Sequence, residues 1–197
     1  MNKKELILNT MQELFREGKA GAASVSDIAK RAGIAKGGLY YYFRSKEEVM
    51  DALVEREYAH IIQNCENIFN NNSLNATNKF VLLLHSFNNA YIDPSLNEYL
   101  HQPQNAGIHQ KALAKLILSL SKLVSAIIEQ GIQEGIYQCE YPEEYAQIIL
   151  SVFTFLLDQS IFDWTPAQRI QKLEALASLI ENGLSTEKGS FSFLYKI

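Results

Sequence analysis

Apolar residues recur at steps of three and four along most of the chain, and no stretch alternates convincingly with a strand's period of two. Leu6, Ile7, Met11, Leu14 and Phe15 put one apolar stripe on residues 3–18, and Gly18 ends that helix. Val25, Ile28, Ala29 and Ala32 repeat the spacing over a shorter segment. Ser24 is placed to cap it, Asp27 stands three residues on in the reciprocal position, and Gly33 stops it. A further short helix is expected from Lys36 to about Phe43, with Leu39 and Phe43 turned inward. Ser45-Lys46-Glu47-Glu48 then reads as the capping box of a long helix to about Phe69. At 1.5 Å per residue this connector spans roughly 37 Å, long enough to leave one small core and enter another.

The pattern continues into a larger helical body. Residues 75–91 carry Phe80, Val81, Leu83, Leu84, Phe87 and Tyr91. Asp93-Pro94 reads as a cap followed by proline at the first helical position, opening a short helix to about Leu100. Residues 101–107 are expected to form a loop, and residues 108–134 a long helix. A turn follows at 135–141. Pro142 opens a helix to about Phe162 that is apolar nearly all round. Thr165-Pro166-Ala167-Gln168 is a second capping box, starting a last helix to about Asn182-Gly183. The tail from Ser185 is expected to be loose or to dock late. The fold class is therefore all-α, with about nine helices. A three-helix head occupies residues 1–46, a helical body occupies residues 47–197, and the connector at about 46–69 leads from one to the other.

Charge divides at the same place. The net charge of −4 looks wrong for a nucleic-acid partner, yet residues 1–46 hold nine Lys/Arg against four Asp/Glu, a balance of +5. The rest of the chain holds nine against eighteen, a balance of −9. A basic head on an acidic body fits a phosphate-facing module. No apolar run reaches the length of a membrane span. Glu5, Asn9, Gln12 and Glu13 interrupt any signal-peptide core, so a cytoplasmic protein is expected. In that reducing compartment Cys65 and Cys139 read as buried thiols, with a disulfide or redox switch as the alternative.

Two short helices joined by a glycine turn, the second rich in basic and aromatic residues, suggest a helix-turn-helix. Its reading end would be Ala35-Lys36-Gly37-Gly38. Lys36 can donate to guanine or neutralise a phosphate, and Gly37 and Gly38 let the backbone come close to the duplex. Tyr40 and Tyr41 can reach bases, thymine methyls or sugar edges. Tyr42 and Lys46 are placed for phosphates. Three consecutive tyrosines cannot all face the core of one short helix. The helix is also weakly specified: an uncapped start costs about 1 kcal/mol, and each interior glycine about 1 kcal/mol relative to alanine. Residues 35–38 are accordingly expected to be mobile without DNA.

The stretch AGIAKGGLYYYFRSKEEV resembles the DNA-binding signature of TetR-type bacterial repressors: an AG turn, a short helix carrying LY, an aromatic, F, then SKE. The resemblance covers about residues 5–57; beyond it only helical layout and length correspond. It implies phosphate contacts at Ser24, Tyr42 and Lys46, base contacts at Ser26, Lys36, Gly37 and Tyr40, and a backbone neighbour at Tyr41. Ala35 departs from the usual serine cap. Gly38 stands where a threonine or serine usually contacts phosphate, which leaves a hydroxyl contact there in question.

The body offers no catalytic arrangement and no HExxH or CxxC motif, and His85, His101 and His109 share no metal-ligand spacing. No enzyme activity, cofactor or metal is expected. Phe87, Asn88, Tyr91, Tyr99, His109, Phe153, Asp158 and Trp164 are candidates to line a pocket, with aromatic core packing as the competing explanation. Asp158 could equally face solvent or a partner. The all-round apolar helix asks for cover that a symmetry mate would supply, through helices at about 142–162 and 166–182; complete burial within one chain is the alternative. The resemblance adds a small-molecule sensor and a dimerisation role for the body. Together these readings lead to a ligand-responsive homodimeric repressor of a palindromic operator, with an effector of unknown identity and no membrane partner. The alternatives are a ligand-free DNA-binding regulator or activator, and a helical small-molecule-binding protein whose head no longer binds DNA.

Overall fold

The computed structural model describes residues 2–88 and 92–196, the side chain of Asn88 excepted. Among the described residues the regular elements are nine α-helices, with two 3-10 turns and one π turn and no strand, as expected for an all-α chain. The helices are α1 (Lys3–Arg16), α2 (Val25–Arg31), α3 (Lys36–Tyr40), α4 (Lys46–Phe69), α5 (Ala76–Asn88), α6 (Pro94–Leu100), α7 (Ala106–Gln133), α8 (Pro142–Ser151) and α9 (Pro166–Gly183). None is long and apolar enough to cross a membrane.

The ends of these helices follow from local chemistry. Ser24 and Asp27 form both halves of a capping box on α2, and Thr165 and Gln168 do the same on α9. At the end of α2, the amides of Gly33 and Ile34 donate to the carbonyls of Lys30 and Ala29. This six-to-one pairing needs a left-handed residue between, and Gly33 supplies it at φ 65°. The start of α4 differs from the expected box. Ser45 Oγ accepts from the Glu48 amide, but the Glu48 carboxylate reaches one residue further back, to the Arg44 amide at 2.6 Å.

The chain forms two compact units. The first comprises residues 2–60 with 92–112, and the second residues 61–88 with 113–196. In the first, Ile7, Met11, Ile28, Leu39, Val49 and Leu53 are fully buried in one cluster that also takes in Leu96 and Leu100 of α6. Tyr99 packs edge-on against Phe15, ring centroids 4.9 Å apart. Arg16, at the end of α1, donates through Nε to Asp93 at 2.7 Å; Asp93 is 1% exposed and caps α6 through the Ser95 amide.

This pair carries a pH signature. Burial pushes the Asp93 carboxyl up, but Arg16 and the Ser95 and Leu96 amides outweigh it and hold it below the usual aspartate range. A carboxylate depressed in this way stabilises the fold above its unfolded pKa of about 3.9, and the contribution is lost as pH falls through the lower folded value. Replacing Arg16 by alanine leaves the buried charge without its main partner. It is expected to cost about 1–3 kcal/mol at pH 7, and less at acid pH, where protonation removes the charge that Arg16 pairs with. Urea denaturation at neutral and at acid pH, followed through signals of the first unit, measures the difference.

The second unit is assembled by long-range polar contacts around an apolar interior. Lys79, buried on α5, donates to the Phe69 carbonyl that ends α4, at 2.5 Å. Glu134 accepts from the Ala76 amide at 3.0 Å, and Thr77 and Tyr137 share a hydrogen bond of 3.1 Å. The expected helix from Pro142 to Phe162 is shorter than its apolar run. It stops being α-helical at Ser151, continues as a π turn over Val152–Leu156, and ends. Asp158 accepts from both the amide and the hydroxyl of Ser160, an Asx turn that competes with helix continuation. Trp164 Nε1 and Arg169 Nη1 satisfy the carbonyls of Leu156 and Leu157 at 2.8 and 2.9 Å. Nor is the helix covered all round: Ile148 is 62% and Phe155 51% exposed.

The tail is docked. Phe191 and Leu194 are buried, and Glu181 Oε1 accepts from the amides of Gly189 and Phe191, each at 2.9 Å. Both cysteines are free. Cys65 is buried, and burial pushes its thiol up to about 11, which makes it unreactive. Cys139 is half-buried, not enclosed as the sequence suggested.

Candidate nucleic-acid interface

Helix α3 has only five residues, shorter than the expected 36–43, and passes into a turn in which the amides of Tyr41 and Phe43 still donate to the carbonyls of Gly37 and Leu39. Ala35 gives it no side-chain cap. It is held from behind by Leu39 and Phe43, which are 0% and 4% exposed. Its other side is open. Lys36, Gly37, Tyr40 and Tyr41 are exposed, Tyr41 at 83%. A Cβ added at Gly37 or Gly38 would meet nothing within 4 Å. The Lys36 ammonium sits 5.9 Å from the Tyr40 ring centroid, so the cation and the aromatic lie side by side. Tyr42 is half-buried and edges against Tyr41 at 5.0 Å.

The remaining head residues named from the sequence are less free. Ser24 is exposed, but its amide and its hydroxyl both donate to Asp27, at 2.9 and 2.6 Å. A phosphate at Ser24 would therefore compete with an internal carboxylate. Ser26 is exposed on α2. Lys46 is half-buried, and its ammonium donates to the Gly21 carbonyl at 2.6 Å. Burial lowers its pKa. Sequence reasoning did not foresee that tether, because Gly21 is 25 residues away. Nor did it foresee that Arg31 is engaged on the flank, where it pairs with Glu17 and Glu13 of α1. The hydrogen bonds from Arg31 and Lys19 bring the Glu17 carboxyl down to about 2. Lys36, Lys30 and Arg44 of the head are exposed, as are Lys3 and Lys4 at the start of α1.

Because the space around Gly38 is open and its φ is helical, Gly38→Ala should fit without strain and stiffen α3 by about 0.5–1 kcal/mol. Amide exchange of Leu39 to Tyr41 in the free protein should slow accordingly. Strong protection of residues 35–38 in the unsubstituted chain would count against a loosely held reading helix.

The body candidates are divided between the two units. Tyr99 and His109 belong to the first unit; Phe87, Phe153, Asp158 and Trp164 belong to the second. Tyr99 also borders an open, mostly polar groove of about 650 Å3 with Arg16, Glu98, Gln102 and Asn105. His109 is buried, and its ring lies 5.0 Å from that of His101, a neighbour eight residues back that helical periodicity does not bring to mind. In the second unit Phe153 lines a small apolar cavity of about 20 Å3, and Phe87 is half-buried. Trp164 stacks on Phe162 at 5.3 Å and carries the Lys172 ammonium 3.5 Å from its ring centroid. Asn88, as a side chain, and Tyr91 lie outside the described residues.

Residues 7–53 match the family model for bacterial regulatory proteins of the tetR family, and residues 89–179 that for the tetracyclin repressor-like C-terminal domain. The chain belongs to the TetR family of DNA-binding transcriptional regulators. This TetR-family chain is 25% identical over 128 residues to the HTH-type transcriptional repressor NemR of Escherichia coli. That match takes in 65% of this chain and 60% of NemR, less than two thirds of the relative's length. It is also 26% identical over 191 residues to the HTH-type transcriptional regulator YhgD of Bacillus subtilis, covering 92% of this chain and 94% of YhgD. Among solved structures, the fatty acid degradation regulator FadR of Bacillus halodurans superposes with a TM-score of 0.61 at 20% identity, over 99% of this chain and 95% of FadR. That likeness speaks for the fold.

Proposed function

We propose that this TetR-family regulator is a homodimeric repressor that binds a palindromic operator through two α3 helices and is released by a small molecule sensed in the body. The observation that carries the DNA half of the reading is the two-sided character of α3. Leu39 is fully buried on one side, while Lys36, Gly37, Tyr40 and Tyr41 stand open on the other. In this reading residues 1–46 touch DNA and residues 47–197 sense and dimerise. Lys36, Gly37, Tyr40 and Ser26 meet base edges. Tyr42, Ser24 and Lys46 meet phosphates, Tyr41 lies along the backbone, and Gly38 allows close approach without a hydroxyl contact.

Dimerisation through α8 and α9 is supported by exposed apolar side chains on both helices: Ile148, and Phe155 just beyond α8, with Ile170 at 45% and Leu179 at 68%. Isolated exposed leucines are ordinary, but four large apolar groups on two consecutive segments ask for cover. Release follows if an effector favours an arrangement of the body that shifts α4, which contributes residues to both units. A coupling of about 1–3 kcal/mol would lower operator affinity roughly 5- to 150-fold.

The reading is tested by titrating the full chain onto its own upstream DNA at several salt concentrations. A steep fall of log affinity with log salt, about 0.9 per phosphate neutralised, is expected. A slope near zero overturns the proposal and leaves the alternative of a helical binding protein with an idle head.

A further inference from the structure

The C-terminal tail lies beyond the segments matched by both family models, yet it is part of the core of the second unit. Phe191 is 1% exposed, and its ring meets Phe80 edge-on with centroids 5.6 Å apart. Phe191 and Leu194, with Phe80, Val124, Phe153 and Ile180, wall the apolar cavity of about 20 Å3. Such a space is about the size of one water molecule. Every residue lining it is apolar.

Three features show that the docked tail is incompletely stabilised. Ser185 takes φ 54°, the left-handed position at the end of α9 where glycine is usual. Thr186 Oγ1 is buried, and it has no hydrogen-bond partner, so its desolvation is not offset. The cavity itself leaves the side chains around it short of contacts. Against these stand the burial of Phe191 and Leu194 and the two amides held by Glu181.

We propose that the tail is a built-in plug: Phe191 and Leu194 fill the apolar interior of the second unit, and a neutral apolar small molecule binds there by displacing them. The proposal rests on the reading of the body as the sensing part and names the class of molecule it senses. The ligand is apolar because the walls are. It is uncharged because walls without a polar group would leave a charge of either sign desolvated and unpaired, and the Glu181 carboxylate, stripped of two donors when the tail departs, further disfavours an anion. The plug also sets affinity: a ligand that binds only the tail-out state is weakened by the small fraction of molecules in that state.

The probe is Nile red, a neutral apolar dye, titrated by fluorescence against the full chain. Phe191→Ala should bind it about ten- to a hundredfold more tightly than the parent, as expected if the tail-out state is populated at about 1–10%. Thr186→Val removes the unpaired hydroxyl, holds the tail more firmly, and should bind the dye more weakly. General loosening of the fold cannot produce opposite shifts. Leu96→Ala, a cavity variant in the other unit, should leave dye affinity near the parent's. In the parent protein, the amides of Gly189 and Phe191 should lose exchange protection on saturation with dye. Equal dye affinity in parent, Phe191→Ala and Thr186→Val overturns the plug. So does a gain in Leu96→Ala matching that of Phe191→Ala, or retained protection of both amides at saturation. None of these readouts involves DNA. A dye that frees the tail yet leaves operator affinity unchanged supports the plug and overturns the effector-release reading instead.

Discussion

Lys36→Ala combined with Tyr40→Ala is expected to reduce operator affinity by about thirtyfold to twenty-thousandfold, taking roughly 1–3 kcal/mol for each base-edge contact and 1.4 kcal/mol per tenfold. Both side chains are exposed and lie together on the open side of α3. Neither is part of the buried cluster that holds the head together. Their removal should therefore change stability by no more than about 0.5 kcal/mol. That separation of binding from folding is what the experiment reads. Fluorescence anisotropy on labelled operator gives the affinity, and a thermal melt of the same samples gives the stability. The salt dependence adds a second discriminator. If Lys36 reads a base, the single variant Lys36→Ala keeps the parent's salt slope; if it neutralises a phosphate, the slope drops by about one. A double variant that binds operator as tightly as the parent would remove α3 from the interface.

Leu39→Ala should have an effect of similar size by the opposite route. Leu39 is fully buried, and deleting such a side chain costs about 2–5 kcal/mol, the spread reflecting how far the surroundings collapse into the space. In most helices neighbouring turns would share that loss. Here the helix has five residues, two of them glycine, and no side-chain cap. A helix of that length has no independent stability. Its position depends on Leu39 and on Phe43 just after it. The variant should lose operator binding and exchange protection across residues 36–43. The second unit, to which Leu39 does not belong, should keep its protection. Because two compact units need not unfold together, a single melting temperature would blur this result, and residue-level exchange is the suitable measurement. Loss of protection throughout the chain would show that the two units unfold as one.

Much of the head could be read in order from the chain. The capping boxes at Ser24 and Thr165 and the glycine stops at Gly18 and Gly33 appear where the residues suggested. These signals are legible because a cap and its partner lie three residues apart, and a glycine answers to its own φ. The inward set of α3 was equally legible, since Leu39 and Phe43 repeat at helical spacing. What escaped was the competition each polar group faces. Lys46 is tied to Gly21, and Arg31 to the acids of α1. Both links span more residues than a local pattern reaches.

The helix expected at 142–162 shows how periodicity alone can mislead. A continuous apolar run predicts one element, but the Asx turn at Asp158 and the carbonyl partners Trp164 and Arg169 end it early. Apolar character says that a segment is buried or paired; it does not say that its backbone stays helical.

The all-α class, the number of helices, most of their ends, and the short loosely capped helix with basic and aromatic residues on one side are all written in the order of residues along the chain. Each of these rests on interactions within about four residues, so the information is local. Tertiary structure alone decided that α6 joins the core of the N-terminal helices through Arg16 and Asp93, 77 residues apart. It also decided which apolar side chains of α8 and α9 remain uncovered, and that the tail enters the second unit's core under the hold of Glu181. Those outcomes depend on which surfaces meet after the helices form. A residue's neighbours along the chain carry no record of that choice.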